Sequence, residues 1–215
     1  MTRIAGLILA GGAASRIGGG DKPLLDVGGR PMLARILHTL ATDLTDIAIS
    51  ANGDPARFAS MGRPVLDDGV FVGEGPLAGI LAGLDWAAGL GCSALLSVPG
   101  DTPFVPRGLA ALLAPAPACA VQGDRINHLV ALWPVAARAD LRALLGVPGT
   151  RAVARFAAQI GVRGVAFAPG QTALFANVNT ADDLAAARLV AEGMDDVDGG
   201  DRRTGGYRPA PGEGA

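Results

Sequence analysis

The chain of 215 residues is long enough for one large domain with a sizeable core. Half of its residues are hydrophobic and 18% are charged, which excludes a disordered chain, and a formal net charge of −2 gives no bulk attraction to nucleic acid or to an anionic membrane. The two cysteines, Cys92 and Cys119, stand in no metal-like spacing and read as buried thiols of a cytoplasmic protein.

Residues 4–10 form a short apolar run that ends in glycines, the pattern of a buried strand entering a loop. Residues 1–15 imitate a signal peptide only weakly, because Gly11 and Gly12 follow the apolar stretch at once. Residues 11–22 are the loop. Pro31 opens a helix over 31–41, with Leu33, Ile36, Leu37 and Leu40 on one face. Strands are predicted at 46–51 and 64–66, the second ending at Asp67 and Asp68. Pro76 starts another helix, with Leu77, Ile80, Leu81 and Leu84 on its stripe. A strand at 93–98 ends in Pro99-Gly100-Asp101, and a helix follows Pro106. The apolar run 86–99 is broken by Gly89, Gly91 and Pro99 and falls short of the roughly 20 residues of a membrane span.

Further strands are predicted at 118–122, 128–133, 162–167 and 173–178, and helices at 136–145, 150–160 and 180–192. Strands alternating with helices imply an α/β fold, three layers deep (α/β/α), around a mostly parallel, Rossmann-like sheet. Residues 1–192 read as one domain, in two halves at about 1–105 and 106–192. Residues 193–215 lack an apolar period and read as a disordered tail.

Ligands of such sheets bind beyond the carboxyl ends of the strands, and the notable residues gather there. In the loop, Gly11, Gly12 and their neighbours let backbone N–H groups turn toward an anion, while Arg16 and Lys22 add positive charge. Together they suit a triphosphate. The loop is neither a Walker motif nor a dinucleotide fingerprint, since no Gly-Lys-Ser/Thr opens the next helix and the glycine spacing differs. Lys22 is the only lysine among 18 basic residues, a compact ammonium where every other cation is a guanidinium.

Asp101 is either a Mg²⁺ ligand or a turn residue capping the next helix. Asn52 either reads a base or ribose, or belongs to an Asn-Gly turn. Asp68 is placed to meet ribose, base or metal, while Asp67 reads as a turn residue beside Gly69. Gly75 approaches a helix N-terminus, which attracts anions. His38 reads as structural, and His128 lies in a strand of the second half of the chain.

The segments LILAGGAASRIGGGDKPLL at 7–25, GPLAGI at 75–80, SVPGDTPFVP at 97–106 and NVNTADDL at 177–184 resemble the molybdenum cofactor guanylyltransferase family. That family sits among nucleotidyltransferases with a sugar-nucleotide-pyrophosphorylase-like fold, the nucleotide-diphospho-sugar transferase type. The resemblance covers residues 4–192 in order. It implies transfer of GMP from GTP to the phosphate of the molybdenum-molybdopterin cofactor, with Mg²⁺ as cofactor. It also implies that Leu9, Ala10 and Gly11 hold the guanine through their backbone, that Lys22 meets the phosphates, and that Asp68 helps bind GTP. Asp101 would bind Mg²⁺ and nucleotide, and Asn177 and Asn179 would line the acceptor side. Lys22, Arg16 and Asp101 are the catalytic candidates. Leu-Ala-Gly-Gly at 9–12 looks like the guanylyl-using branch rather than the cytidylyl-using one. Cofactor-delivering proteins and molybdoenzymes are the partner proteins the resemblance allows for, with no nucleic acid or membrane partner.

Three positions depart from the family pattern: Ser50 stands where relatives can carry a base-contacting asparagine, Gly100 where some have cysteine, and His128-Leu129 replaces a frequent His-Pro. No Ser-His-Asp or Cys-His arrangement is visible. An acceptor phosphate needs none, being already an anionic nucleophile. A cytidylyltransferase of the same pterin, a sugar-phosphate nucleotidyltransferase and a nonenzymatic carrier are the competing readings.

Overall fold

The computed structural model describes residues 3–11, 21–147, 149, 151–168 and 174–197, with 195–197 by backbone alone. Its strands are β1 (Ile4–Leu9), β2 (Ile47–Ser50), β3 (Val65–Leu66), β4 (Ala94–Pro99), β5 (Ala118–Gln122), β6 (Arg125–Pro134) and β7 (Arg163–Phe167). Its helices are α1 (Met32–Leu40), α2 (Pro76–Gly89), α3 (Leu109–Leu113), α4 (Arg138–Leu145), α5 (Val153–Gln159) and α6 (Ala181–Val197). The strands form one sheet in the order β3-β2-β1-β4-β6-β5-β7.

The central strands are buried on both faces, which is why their sequences are apolar throughout rather than alternating. Side-chain alternation then sorts β1 and β4 onto two cores. Ile8, Leu96 and Val98 pack with Leu33, Ile36 and Leu40 of α1 and Leu109 and Leu113 of α3. Leu7 and Leu95 pack on the other face with Leu77, Ile80, Leu81 and Leu84 of α2, Leu141 of α4 and Phe156 of α5. The three-layer α/β fold expected from the sequence is therefore present. α6 adds a smaller cluster, setting Leu184, Ala187 and Ala191 against Val27, Met32 and Phe104.

The structure adds to or departs from the sequence reading in three places. β6 runs antiparallel between β4 and β5, whereas the other pairings are parallel. It starts at Arg125, so only Gly123 (φ 56°) and Asp124 separate it from β5, and a two-residue connection permits only an antiparallel hairpin. The strand expected near 173–178 does not form among residues 174–178. Phe175 turns there with φ 62°, and the segment is tied by single backbone bonds, Phe175 N–H to Phe104 O at 3.1 Å and Val178 N–H to Asp101 O at 2.9 Å. α6 runs past Glu192 to Val197; the rest of the expected tail lies outside the described residues. Among the described residues, no helix is long and apolar enough to cross a membrane.

Candidate active site

β1, β2 and β4 end on the same side of the sheet, and a cavity of about 420 Å³ opens there. That volume lies within the usual range for small-ligand sites, about 300–1,000 Å³. Of the residues singled out in the sequence, Leu9, Gly11, Lys22, Asn52, Asp68, Gly75, Asp101 and Asn177 line it. Gly12 and Arg16 lie outside the described residues. Ala10 is buried behind the wall, and its N–H is given to Ser50 O at 2.8 Å. The Leu9 carbonyl accepts the Gly100 N–H at 2.8 Å, which ties the ends of β1 and β4 together.

Lys22 opens a single 3-10 turn, with Pro23 next in its first turn, and is only 8% exposed. Its Nζ donates to Asp101 Oδ2 at 2.7 Å and to Asn179 Oδ1 at 2.6 Å. Asp101 does not cap the following helix: α3 begins at Leu109, with Gly108 at its N-cap. The carboxylate turns to the ammonium instead. Thr102, fully buried, donates from Oγ1 to Asn177 Oδ1 at 3.2 Å. The segments carrying Asp101 and Asn177–Asn179 are thus stitched to one another beneath Lys22.

On the opposite wall Asn52 and Asp68 form a reciprocal pair. Asn52 Nδ2 donates to Asp68 Oδ2 at 2.6 Å, and the Asp68 N–H donates to Asn52 Oδ1 at 3.0 Å. Asn52 therefore joins the end of β2 to the end of β3 instead of serving a turn alone. Asp67 is the turn residue it was read as, accepting the Gly69 N–H at 2.7 Å. Gly75 sits at φ 74°, in the region that favours glycine, and hands the chain into α2. Gly79 has a different reason to be glycine. A Cβ there would lie 2.3 Å from Ser50 Oγ and 3.2 Å from Leu9 Cδ2, so its absence lets the first turns of α2 close against β1 and β2.

Two residues at the site carried no sequence signal. Arg57 donates to Asp21 Oδ1 at 2.8 Å and to the Asn52 carbonyl at 2.5 Å, with its guanidinium 4.8 Å from the Phe58 ring centre. It clamps the residue before Lys22 to the end of β2. It lies in an irregular 3-10 stretch, Pro55–Met61, where no period marks it. Thr102 was legible only as part of a turn. Leu129 lines the cavity, whereas His128 does not; successive strand residues face opposite sides. His38 is exposed on α1.

Asp183, in the first turn of α6, accepts the N–H groups of Asn179 at 2.9 Å and Thr180 at 2.8 Å on one oxygen. The Asn179 bond, ahead of contacts with Thr180 and the charge of Lys22, holds this carboxyl below its ordinary value of 3.8. A lowered folded-state value means that the contribution is complete above the ordinary value and is lost as pH falls through the lowered one. The Tm gap between the wild type and Asp183→Asn is accordingly expected to be full near neutral pH and to shrink below about 3.8. A gap that stays constant over an acid pH series would contradict this.

A nucleotidyl transferase from Methanothermobacter thermautotroptrophicus shares this architecture with a TM-score of 0.69 at 16% identity, over 89% of this chain and 99% of that one. Molybdopterin-guanine dinucleotide biosynthesis protein A from Archaeoglobus fulgidus does so with a TM-score of 0.68 at 20% identity, over 88% of this chain and 100% of that one. These likenesses show a shared fold. The family model described as MobA-like NTP transferase domain matches residues 6–162. Proteins named molybdenum cofactor guanylyltransferase are 53% identical over 86% of this chain in Acidiphilium cryptum and 44% identical over 92% of it in Bradyrhizobium sp. (strain ORS 278), with 94% and 97% of the relatives covered. The chain belongs to the MobA-like NTP transferase family, among the molybdenum cofactor guanylyltransferases.

Proposed function

We propose that the chain transfers the GMP moiety of GTP to the phosphate of the molybdenum-molybdopterin cofactor, forming its guanine dinucleotide and releasing pyrophosphate. The observation that carries this reading is the contact of Lys22 Nζ with Asp101 at 2.7 Å beside a cavity at the carboxyl ends of parallel strands, in a chain whose relatives bear that name. An acceptor phosphate oxygen attacks the α-phosphorus of GTP. The bond from that phosphorus to the β-bridging oxygen breaks, and its electron pair leaves with pyrophosphate. The protein's part is alignment and charge dispersal.

Lys22 and the backbone of Gly11 are assigned to the leaving phosphates, with Gly75 at the start of α2 on the same cavity. The sequence assigns Gly12 and Arg16 to the same task, and both lie outside the described residues. Leu9 and Gly11 form the wall for the guanine, with Ala10 buried behind them, and Asn52 and Asp68 address the nucleoside from across the cavity. Asn177 and Asn179, within the acceptor half at about 106–192, are assigned to the acceptor side of the cleft. Mg²⁺ is assigned to Asp101, whose carboxylate lines the cavity. Mg²⁺ takes one or two carboxylates and completes its shell with phosphate oxygens and water, a donor set that Asp101 and a bound triphosphate would supply. When bound, that ion supplies Lewis-acid neutralisation of the triphosphate.

Pyrophosphate release from GTP, Mg²⁺ and the cofactor tests the reaction. A thermal-shift panel tests the base: GTP at 100 times its Kd is expected to add about 2.7 kcal/mol, or about 5–10 °C in Tm for a domain of this size. Stabilisation by CTP or UTP but not GTP would transfer the reading to a cytidylyltransferase or a sugar-phosphate nucleotidyltransferase. Tight GTP binding without pyrophosphate release in the presence of acceptor would point to a carrier.

A further inference from the structure

We infer that Asp183 is a positioning residue for Lys22: its carboxylate fixes the backbone of Asn179, and Asn179 fixes the ammonium. The kinetic half of this inference rests on the reaction proposed above; the structural half does not.

A lysine ammonium has three donors and no preferred direction of its own, so its place is set by its acceptors. Two of those acceptors are Asp101 Oδ2 and Asn179 Oδ1. Asp101 lies two residues past the end of β4, next to Gly100, whose N–H is bonded to Leu9 O of β1, and inherits the rigidity of the sheet. Asn179 has no such support, because residues 176–179 belong to no helix or strand. Upstream, the segment is held by the Val178 N–H on Asp101 O at 2.9 Å. Downstream, it is held by Asp183.

The arrangement is a capping box with one bond more than the box requires. Thr180 caps α6, accepting the Asp183 N–H on Oγ1 at 3.1 Å, and Asp183 returns a carboxylate oxygen to the Thr180 N–H. The same oxygen also takes the N–H of Asn179. That additional bond does nothing for the helix, since Asn179 lies before the cap. Its effect falls on the residue that holds Lys22. α6 itself is anchored through Leu184, Ala187 and Ala191, so the carboxylate passes the placement of a packed helix to an otherwise irregular strip of chain. Asp182 carries the same charge in the same first turn but is exposed.

The chain offers an unusual probe, because Lys22 is its only lysine. Protein labelled with ¹³C,¹⁵N-lysine yields one lysine side-chain signal, and it reports the site directly. Asp183→Ala is expected to shift that signal and to lower kcat by about tenfold or more, the scale of a modest misplacement of a catalytic group, with KM for GTP within about twofold. Asp183→Glu is expected to restore both, since glutamate closes the same box. Thr180→Ala is the control. It weakens the cap and lowers Tm, yet leaves the bond from Asn179 to Asp183, so the lysine signal and kcat should stay near wild type.

An unmoved lysine signal in Asp183→Ala, or a Thr180→Ala variant that reproduces both changes, would overturn the inference. If Asp183→Ala does not fold, Asp183→Leu, which matches the shape of aspartate without an acceptor, takes its place in both measurements. A wild-type chain that releases no pyrophosphate with any nucleotide and acceptor would end the proposed function, while the lysine signal would still decide whether Asp183 positions Lys22.

Discussion

Lys22→Met is expected to lower kcat for nucleotidyl transfer by about 10²–10³-fold, the range seen when a preorganised group at developing charge is removed. Lys22 is 8% exposed and its ammonium touches two oxygens, so no solvent cation can take its place without rebuilding the contact. Asp101→Asn is expected to fall by a comparable factor, because it removes the carboxylate assigned to the metal. Stability separates chemistry from folding. Each single change leaves one member of a poorly exposed pair without its counterion, at a cost of about 1–3 kcal/mol. The double variant Lys22→Met/Asp101→Asn removes both charges and should regain much of that Tm while remaining inactive. Full turnover in either single variant, measured as pyrophosphate release, would remove that residue from the mechanism.

Trp133→Ala is expected to cost about 3–5 kcal/mol, lowering Tm by roughly 10 °C or more. Trp133 is fully buried on β6 and stacks on Phe156 of α5 at a centroid distance of 5.8 Å. Its Nε1 donates to Ser97 Oγ at 2.8 Å, and that hydroxyl donates onward to Leu129 O at 2.7 Å. The chain of bonds crosses from β6 to β4 and ends at a residue of the cavity wall. Ser97→Ala alone would leave the indole N–H buried without an acceptor, at about 1–3 kcal/mol. Adding Trp133→Phe to it removes the orphaned donor and should recover part of that loss. Denaturant unfolding of the four proteins closes the cycle. Purely additive losses would mean that the bond between Trp133 and Ser97 is worth nothing.

β1, α1, α2 and β4 were legible from the sequence because each is written in local periods: unbroken apolar runs for strands buried on both faces, a stripe at helical spacing for the helices. Lys22 and Asp101 were legible because chemistry in an α/β sheet gathers after strands, and the chain spells both positions with residues suited to phosphate and metal. Other features depended on pairing across long stretches of chain. The reversal of β6 follows from a turn shorter than its apolar pattern indicated. The segment at 174–178 has strand-like residues but makes only single bonds to its neighbours, and a strand exists only where a partner ladder exists. Arg57 matters because folding brings Asp21 and Asn52 to it, and Asn179 reaches Lys22 across 157 positions. Local periodicity carries no information about contacts at that separation; the tertiary structure alone decides them.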